Sequence, residues 1–222
     1  MPSAPDLKPV LTFLGSLQKN NNRAWFEAHR PAYEKARDEF EALVDELILS
    51  LGAIEDMKGV AARDCIMRIY RDVRFSKDKS PYKTAMSASI GPGGRHAWRH
   101  NYFLQLEPPD RSILAGGMHE PESSQINRFR AAIARDARKF KAVVSDKAFR
   151  QYFGEIKGEK LKTAPQGYGR DHPEIELLRL KEVVAIHNLS DKKILSPGFA
   201  AHVIKACTAM KPFLVYLDSV LA

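Results

Sequence analysis

Apolar positions in the first fifty residues recur at helical spacing. Leu7, Val10, Leu11, Leu14 and Leu17 fall on one face, which predicts an amphipathic helix. Asn20-Asn21-Asn22 interrupts it, and the last of these suits the cap of a following turn that carries Trp25 and Phe26 as core aromatics. Pro31 fits the first turn of a longer helix, in which Tyr33, Ala36, Phe40, Leu43, Val44, Leu47 and Ile48 repeat with period 3.6 and acids take the opposite side; Gly52 marks its end. Segments 64–75, 83–91, 100–107 and 111–118 then read as strands. Gly91-Pro92-Gly93-Gly94 and Pro108-Pro109-Asp110 supply turn chemistry, and such short connections favour an antiparallel meander. Helical spacing returns with Ile126, Phe129, Ile133, Ala137, Phe140 and Val144 as one stripe, and Ser145 is placed as the cap of a short helix ending near Gly154. After a loop-rich stretch, 155–172, a short helix follows His172-Pro173, residues 182–187 add an edge strand, and Ser196-Pro197 opens a final helix with a bend expected at Pro212. The pattern predicts one α+β domain over 1–222, an antiparallel four- to five-stranded sheet flanked by N-terminal and C-terminal helices.

Composition narrows the class. The 222 residues are 44% hydrophobic and 28% charged, as in a globular protein with a sizeable core. No apolar run approaches membrane-spanning length, and Met-Pro-Ser-Ala-Pro-Asp lacks the basic and apolar regions of a signal peptide. A cytoplasmic location with no membrane partner is the expectation. Cys65 and Cys207 stand far apart in apolar surroundings, which predicts buried free thiols in a reducing compartment. The seven histidines are scattered, so neither a metal nor a cofactor is expected. No Ser-His-Asp order, reactive-cysteine signature or dinucleotide fingerprint occurs, so the residues name no reaction, and whether the chain is an enzyme stays open together with its oligomeric state.

Charge changes the picture most. The net charge of +8 is concentrated: residues 61–83 hold seven Lys/Arg against three Asp, and residues 121–150 hold eight against three acids, whereas 34–56 is acidic. If 64–75 is a strand, Cys65, Met67, Ile69, Val73 and Phe75 face the core and Arg68, Tyr70, Asp72 and Arg74 line the other face. Charge in such a place needs a partner, and guanidinium forks suit carboxylate or phosphate oxygens. Arg68, Arg71, Arg74 and Lys79 are therefore the candidate anion-binding residues, with Tyr70, Asp72, Asp78 and Arg130 orienting or supporting them. Asp72, Tyr82 and His172 are the candidates for proton transfer, although Asp171-His172-Pro173 is also ordinary helix-start chemistry with Asp171 as the cap. A small anionic ligand is the preferred partner. Two alternatives stand beside it. One is an internal ion network with the acidic 34–56 helix and no ligand. The other is a nucleic-acid module, in which the strand loop, the Arg95–His100 hairpin tip and an Arg128/Arg135/Lys139 face track phosphates while Trp98, Tyr102 and Phe103 stack on bases.

The run from Arg68 to Lys83 follows the pattern RxxRDxRFSKDKxPYK. With Asn20-Asn21-Asn22-Arg23, Trp25-Phe26, Gly94-Arg95-His96, Gly116-Gly117-Met118, Pro121, Arg130, Gly167-Tyr168, Asp171-His172-Pro173, Leu178 and Lys181, it resembles the signature of a family of uncharacterised bacterial proteins, the domain of unknown function 2461 (DUF2461). The resemblance spans most of the chain. It marks Arg68, Arg71, Asp72, Arg74, Phe75, Asp78, Lys79 and Tyr82 as matching the signature and implies no activity.

Overall fold

The structure, a computed structural model, describes residues 4–97, 99–156 and 158–222. The chain divides into two compact units. One runs to Leu114 and takes in Asn188–Ile204, and the other holds Ala115–His187 and Lys205–Ala222.

The first unit opens with α1 (Lys8–Lys19), whose face of Val10, Leu11, Leu14 and Leu17 is buried as its periodicity requires. Asn22 caps α2 (Arg23–Ala28) by accepting the Trp25 N–H at 2.9 Å. Pro31 lies in the first turn of α3 (Arg30–Leu51), which buries Ala36, Phe40, Leu43, Val44, Leu47 and Ile48 and leaves most of its acids in water. The Phe26 ring stacks on Tyr82 at 4.0 Å between centroids and meets Phe13 edge-on at 6.0 Å. Asn21 completes this junction, since its amide donates to the Tyr82 carbonyl and its oxygen accepts the Tyr82 N–H. A short α4 (Ala62–Cys65) precedes β1 (Met86–Ile90) and β2 (Tyr102–Leu106), which pair antiparallel with Met86 opposite Leu106 and Ile90 opposite Tyr102.

With β3 (Ser112–Met118) and β4 (Val183–Leu189) these strands form a four-stranded antiparallel sheet in sequence order, β4 being the edge strand expected near 182–187. The fold is α+β. A short α9 (Asp191–Ile194) is capped by Ser190, and α10 (Phe199–Leu221) carries Pro212 inside it. No helix among the described residues is long and apolar enough to cross a membrane.

The segment 64–75 is not the strand its alternation suggests. Residues 62–65 are helical, and the chain beyond them meets its neighbour only through isolated bridges, Ile66 with Ala88 and Tyr70 with Tyr82, plus backbone bonds from Met67 to Ser87, Lys83 to Ile69 and Arg71 to Pro81. Past Arg71 it leaves as a loop that returns at Pro81. The expected core position Phe75 is 95% exposed.

In the second unit, α5 (Ser123–Arg135) and α6 (Arg138–Ser145) replace the single stripe. Asp136 breaks it, because its carboxylate accepts the Arg138 N–H at 3.0 Å and its extended backbone ends the first helix. Asp146, rather than Ser145, caps α7 (Lys147–Phe153), accepting from the Ala148 and Phe149 amides. Phe140 joins this core, packing on Phe129 at 5.2 Å and on Tyr216 at 5.3 Å, while Phe149 meets Phe213 at 5.5 Å. Gly117 sits here in β3 at φ +117°, where a Cβ would stand 2.3 Å from the Val183 carbonyl oxygen. Cys65 in the first unit and Cys207 in the second are both buried, and neither forms a disulfide.

Candidate functional site

Positions 33, 37, 40 and 41 share a helical face. In α3 they bring Tyr33, Arg37, Phe40 and Glu41 to one wall of a cleft of about 580 Å³. The facing wall is the extended segment Ile66–Ile69, which contributes Arg68, together with Lys83, Ala85 and Met86 of the chain paired to it. Arg63 of α4 and Arg95 and His96 of the turn Gly94–His96 complete the lining. Five basic side chains, four of them guanidinia, therefore surround this cleft, and among the described residues Glu41 is the one acidic side chain that lines it.

Two of the five are held by the protein. Arg95 Nη1 donates to the Arg63 carbonyl at 2.5 Å and the Ile66 carbonyl at 3.3 Å, which fixes the turn against the C-terminal end of α4. Arg37 pairs with Asp38 at 3.2 Å, but both are exposed, and such pairs contribute only about 0–1 kcal/mol. The side chains of Arg63, Arg68 and Lys83 have neither a hydrogen bond nor an ion pair among the described residues. Burial, and secondarily the charge of Arg68, pushes the half-buried Lys83 ammonium below the ordinary lysine range. Burial likewise raises the Tyr33 phenol and keeps it protonated.

Of the residues the sequence nominated, the cleft takes only Arg68 of the four anion-binding candidates. The others build the loop. Arg71 donates to Asp78 and to the Ser80 carbonyl, and Asp78 also accepts the Ser80 N–H at 2.9 Å and its hydroxyl at 2.6 Å. Ser80 and then Arg71 hold the Asp78 carboxyl well below the usual carboxylate range. Arg74 grips Asp72 bidentately at 3.0 and 2.7 Å, and Lys79 Nζ donates to the Val73 carbonyl at 3.0 Å. These contacts are local, so the acidic 34–56 helix plays no part in them. Phe75 projects from this stapled loop with only the Arg74 guanidinium beside it, 5.8 Å from the ring centre. Phe75→Ser is expected to change stability by less than about 0.5 kcal/mol, as an exposed substitution does; a larger loss in urea titration would mean that the ring is packed in solution.

Tyr70 and Tyr82 belong to the ring cluster on Phe26, and burial raises the Tyr82 phenol. His172 lies in the second unit, where its Nδ1 accepts the Glu174 N–H at 3.0 Å; Glu174, rather than Asp171, is the N-cap of the following short helix, which has no side-chain cap. Arg130 is buried in the second unit against backbone carbonyls. Among the residues proposed to stack on bases, Tyr102 is buried with its hydroxyl on Glu55, and Trp98 lies outside the described residues. Arg37, Arg63 and Lys83 were not nominated, and Arg95 was named only in the hairpin tip of the nucleic-acid alternative. Arg37 resembles the solvated side of an acidic helix, and the other three become neighbours only through the tertiary fold.

The sequence profile of a family described as conserved hypothetical protein (DUF2461) matches residues 9–216. The chain belongs to the DUF2461 family. Neither a curated protein nor a solved structure matches it. In this DUF2461 chain Arg68 and Lys83 of the signature line the cleft, Arg71, Asp72, Arg74, Asp78 and Lys79 staple the adjoining loop, Tyr82 stacks on Phe26, and Phe75 is exposed.

Proposed function

We propose that the cleft of the first unit binds a small anionic ligand through a phosphate or carboxylate group, with Arg68 and Lys83 as the central contacts and Arg63 and Arg95 at its margin. The observation that carries this reading is the trio of cations around one concavity, Arg63, Arg68 and Lys83, whose side chains make no hydrogen bond or close ion pair among the described residues. Unneutralised like charges gathered together oppose folding, and a bound anion relieves them. The concave wall favours a small molecule over a nucleic-acid duplex.

Thermal unfolding in the presence of phosphate, pyrophosphate, citrate and short oligonucleotides tests the reading. A ligand at one hundred times its Kd adds about 2.7 kcal/mol to the folded state. Arg68→Ala is expected to weaken that ligand roughly 10- to 100-fold, the loss of about one charge-assisted hydrogen bond. The pH dependence has a definite sign. The cleft depresses the Lys83 pKa, and an anion favours the ammonium, so binding takes up a proton where Lys83 is partly neutral. Affinity should be full at neutral pH and fall as pH rises toward the ordinary lysine value. No shift with any anion at low salt would remove the proposal, and a shift with oligonucleotides alone would favour the nucleic-acid reading.

A further inference from the structure

An amine is not the best group for holding an oxyanion. A guanidinium makes two parallel bonds to it, and the cleft already has several. What an amine adds is a nucleophilic lone pair when it loses its proton. Lys83 is placed for that. Its backbone N–H is fixed on the Ile69 carbonyl at 2.8 Å, its side chain is half-buried in the cleft wall, and its nitrogen has no carboxylate partner. Three exposed lysines pair with acids, Lys141 with Glu174, Lys160 with Glu176 and Lys181 with Glu159, whereas Lys83 is half-buried in a cleft lined by guanidinia.

We propose that Lys83 is a carbonyl-reactive amine, and that the cleft takes an anionic aldehyde or 2-oxo acid whose charged group sits on the neighbouring guanidinia while its carbonyl condenses with Lys83. This rests on the anion-binding reading above and names the ligand class for the same site. The Lys83 nitrogen lone pair attacks the carbonyl carbon, forming the C–N bond, and the carbonyl π pair moves to oxygen, which takes a proton. The nitrogen gives up one proton to reach the neutral carbinolamine, its lone pair expels the hydroxyl, which takes a proton and departs as water, and the iminium so formed loses its remaining N–H proton to complete the neutral C=N. One amine and one carbonyl give one imine and one water, with no oxidant or reductant. Around this step stand Tyr33, Arg37 and Glu41 from α3, and Arg63 from α4. Arg68 faces it from the extended segment, and Arg95 and His96 from the Gly94–His96 turn. Glu41 is the carboxylate available to carry protons, and Tyr33 keeps its phenolic proton through burial. Burial, and secondarily the charge of Arg68, favours the neutral, nucleophilic form of Lys83, and the guanidinia attract the carbonyl compound's charge.

The test incubates the full chain with glyoxylate, an anionic aldehyde, or glycolaldehyde, a neutral one, under cyanoborohydride, and maps the reduced adducts by mass spectrometry. One adduct at Lys83 is expected with glyoxylate, forming at least about tenfold faster than at any other lysine because the bound carbonyl is held at high local concentration. Phosphate should slow it. The rate should rise with pH while phosphate affinity falls. Lys83→Arg should abolish the adduct, and a cooperative urea transition close to that of the parent chain shows that the variant is folded. Adducts spread evenly over the lysines, alongside an intact phosphate shift, would overturn the imine proposal and leave the anion site standing. Equal labelling of Lys83 by both aldehydes, with no phosphate protection and no phosphate shift, would overturn both.

Discussion

Replacing Arg130 with methionine should lower the stability of the chain in urea by about 3 kcal/mol and leave the phosphate-induced thermal shift unchanged. Arg130 is 9% exposed, and its Nε and Nη2 donate to the carbonyls of Leu178 and Leu180 at 2.9 and 3.0 Å, with Nη1 on Asn127 Oδ1 at 3.1 Å. Leu178 ends α8 (Ile175–Leu178), where carbonyl groups have no helical partner. Among the described residues no carboxylate neutralises the cation, and burial lowers its pKa, so the charge is unfavourable here and the hydrogen bonds offset that cost. Methionine relieves the buried charge but strands two carbonyls, each costing about 1–3 kcal/mol when left unsatisfied. The second effect is the larger one because two acceptors are lost for one charge removed. Arg130→Lys should recover less than half of the loss, since one ammonium cannot reproduce a planar fork. Full recovery by lysine would show that charge, rather than geometry, holds this corner.

How much of this could be read from the chain depends on the range of the interactions involved. The buried faces of α1 and α3 and the Asn22 cap were legible because helical period and capping are local. The meander of β1, β2 and β3 followed from turn residues. At 64–75 the alternation misled. Paired charges two to seven residues apart, Arg74 with Asp72 and Arg71 with Asp78, stabilise a loop as readily as a strand face, and their closure turns Phe75 outward. The break at Asp136 was hidden for a similar reason: the apolar period runs on through it, while one carboxylate captures the amide two residues ahead. At the cleft, Arg68 was legible as a cation in an apolar setting. Arg63 and Arg95 were not, because a carbonyl–guanidinium contact across thirty-two residues unites them.

Gly94→Ala is expected to cost about 2–4 kcal/mol and to weaken anion binding by at least about tenfold, whereas Gly59→Ala should cost about 1 kcal/mol and leave binding alone. Both glycines have left-handed backbones, φ +60° and φ +75°, so each substitution carries comparable strain. They differ in what a Cβ meets. At Gly59 nothing lies within 4 Å, but at Gly94 the Asp64 carbonyl oxygen and carbon stand at 2.5 and 2.9 Å. Those atoms are the backbone of α4 and cannot swing aside like a side chain. The turn must move instead, and it is held on both sides, by the Gly94 N–H on the Gly91 carbonyl at 2.9 Å and by Asn101 Nδ2 on the Gly94 carbonyl at 2.7 Å. Displacing it carries Arg95 away from the Arg63 and Ile66 carbonyls, and so changes the spacing of the cations around the cleft. The difference between the two variants isolates the steric part from the conformational one. Equal losses in the two, measured by urea titration and by phosphate-induced thermal shift, would mean that α4 yields freely and that the turn does not set the position of Arg95.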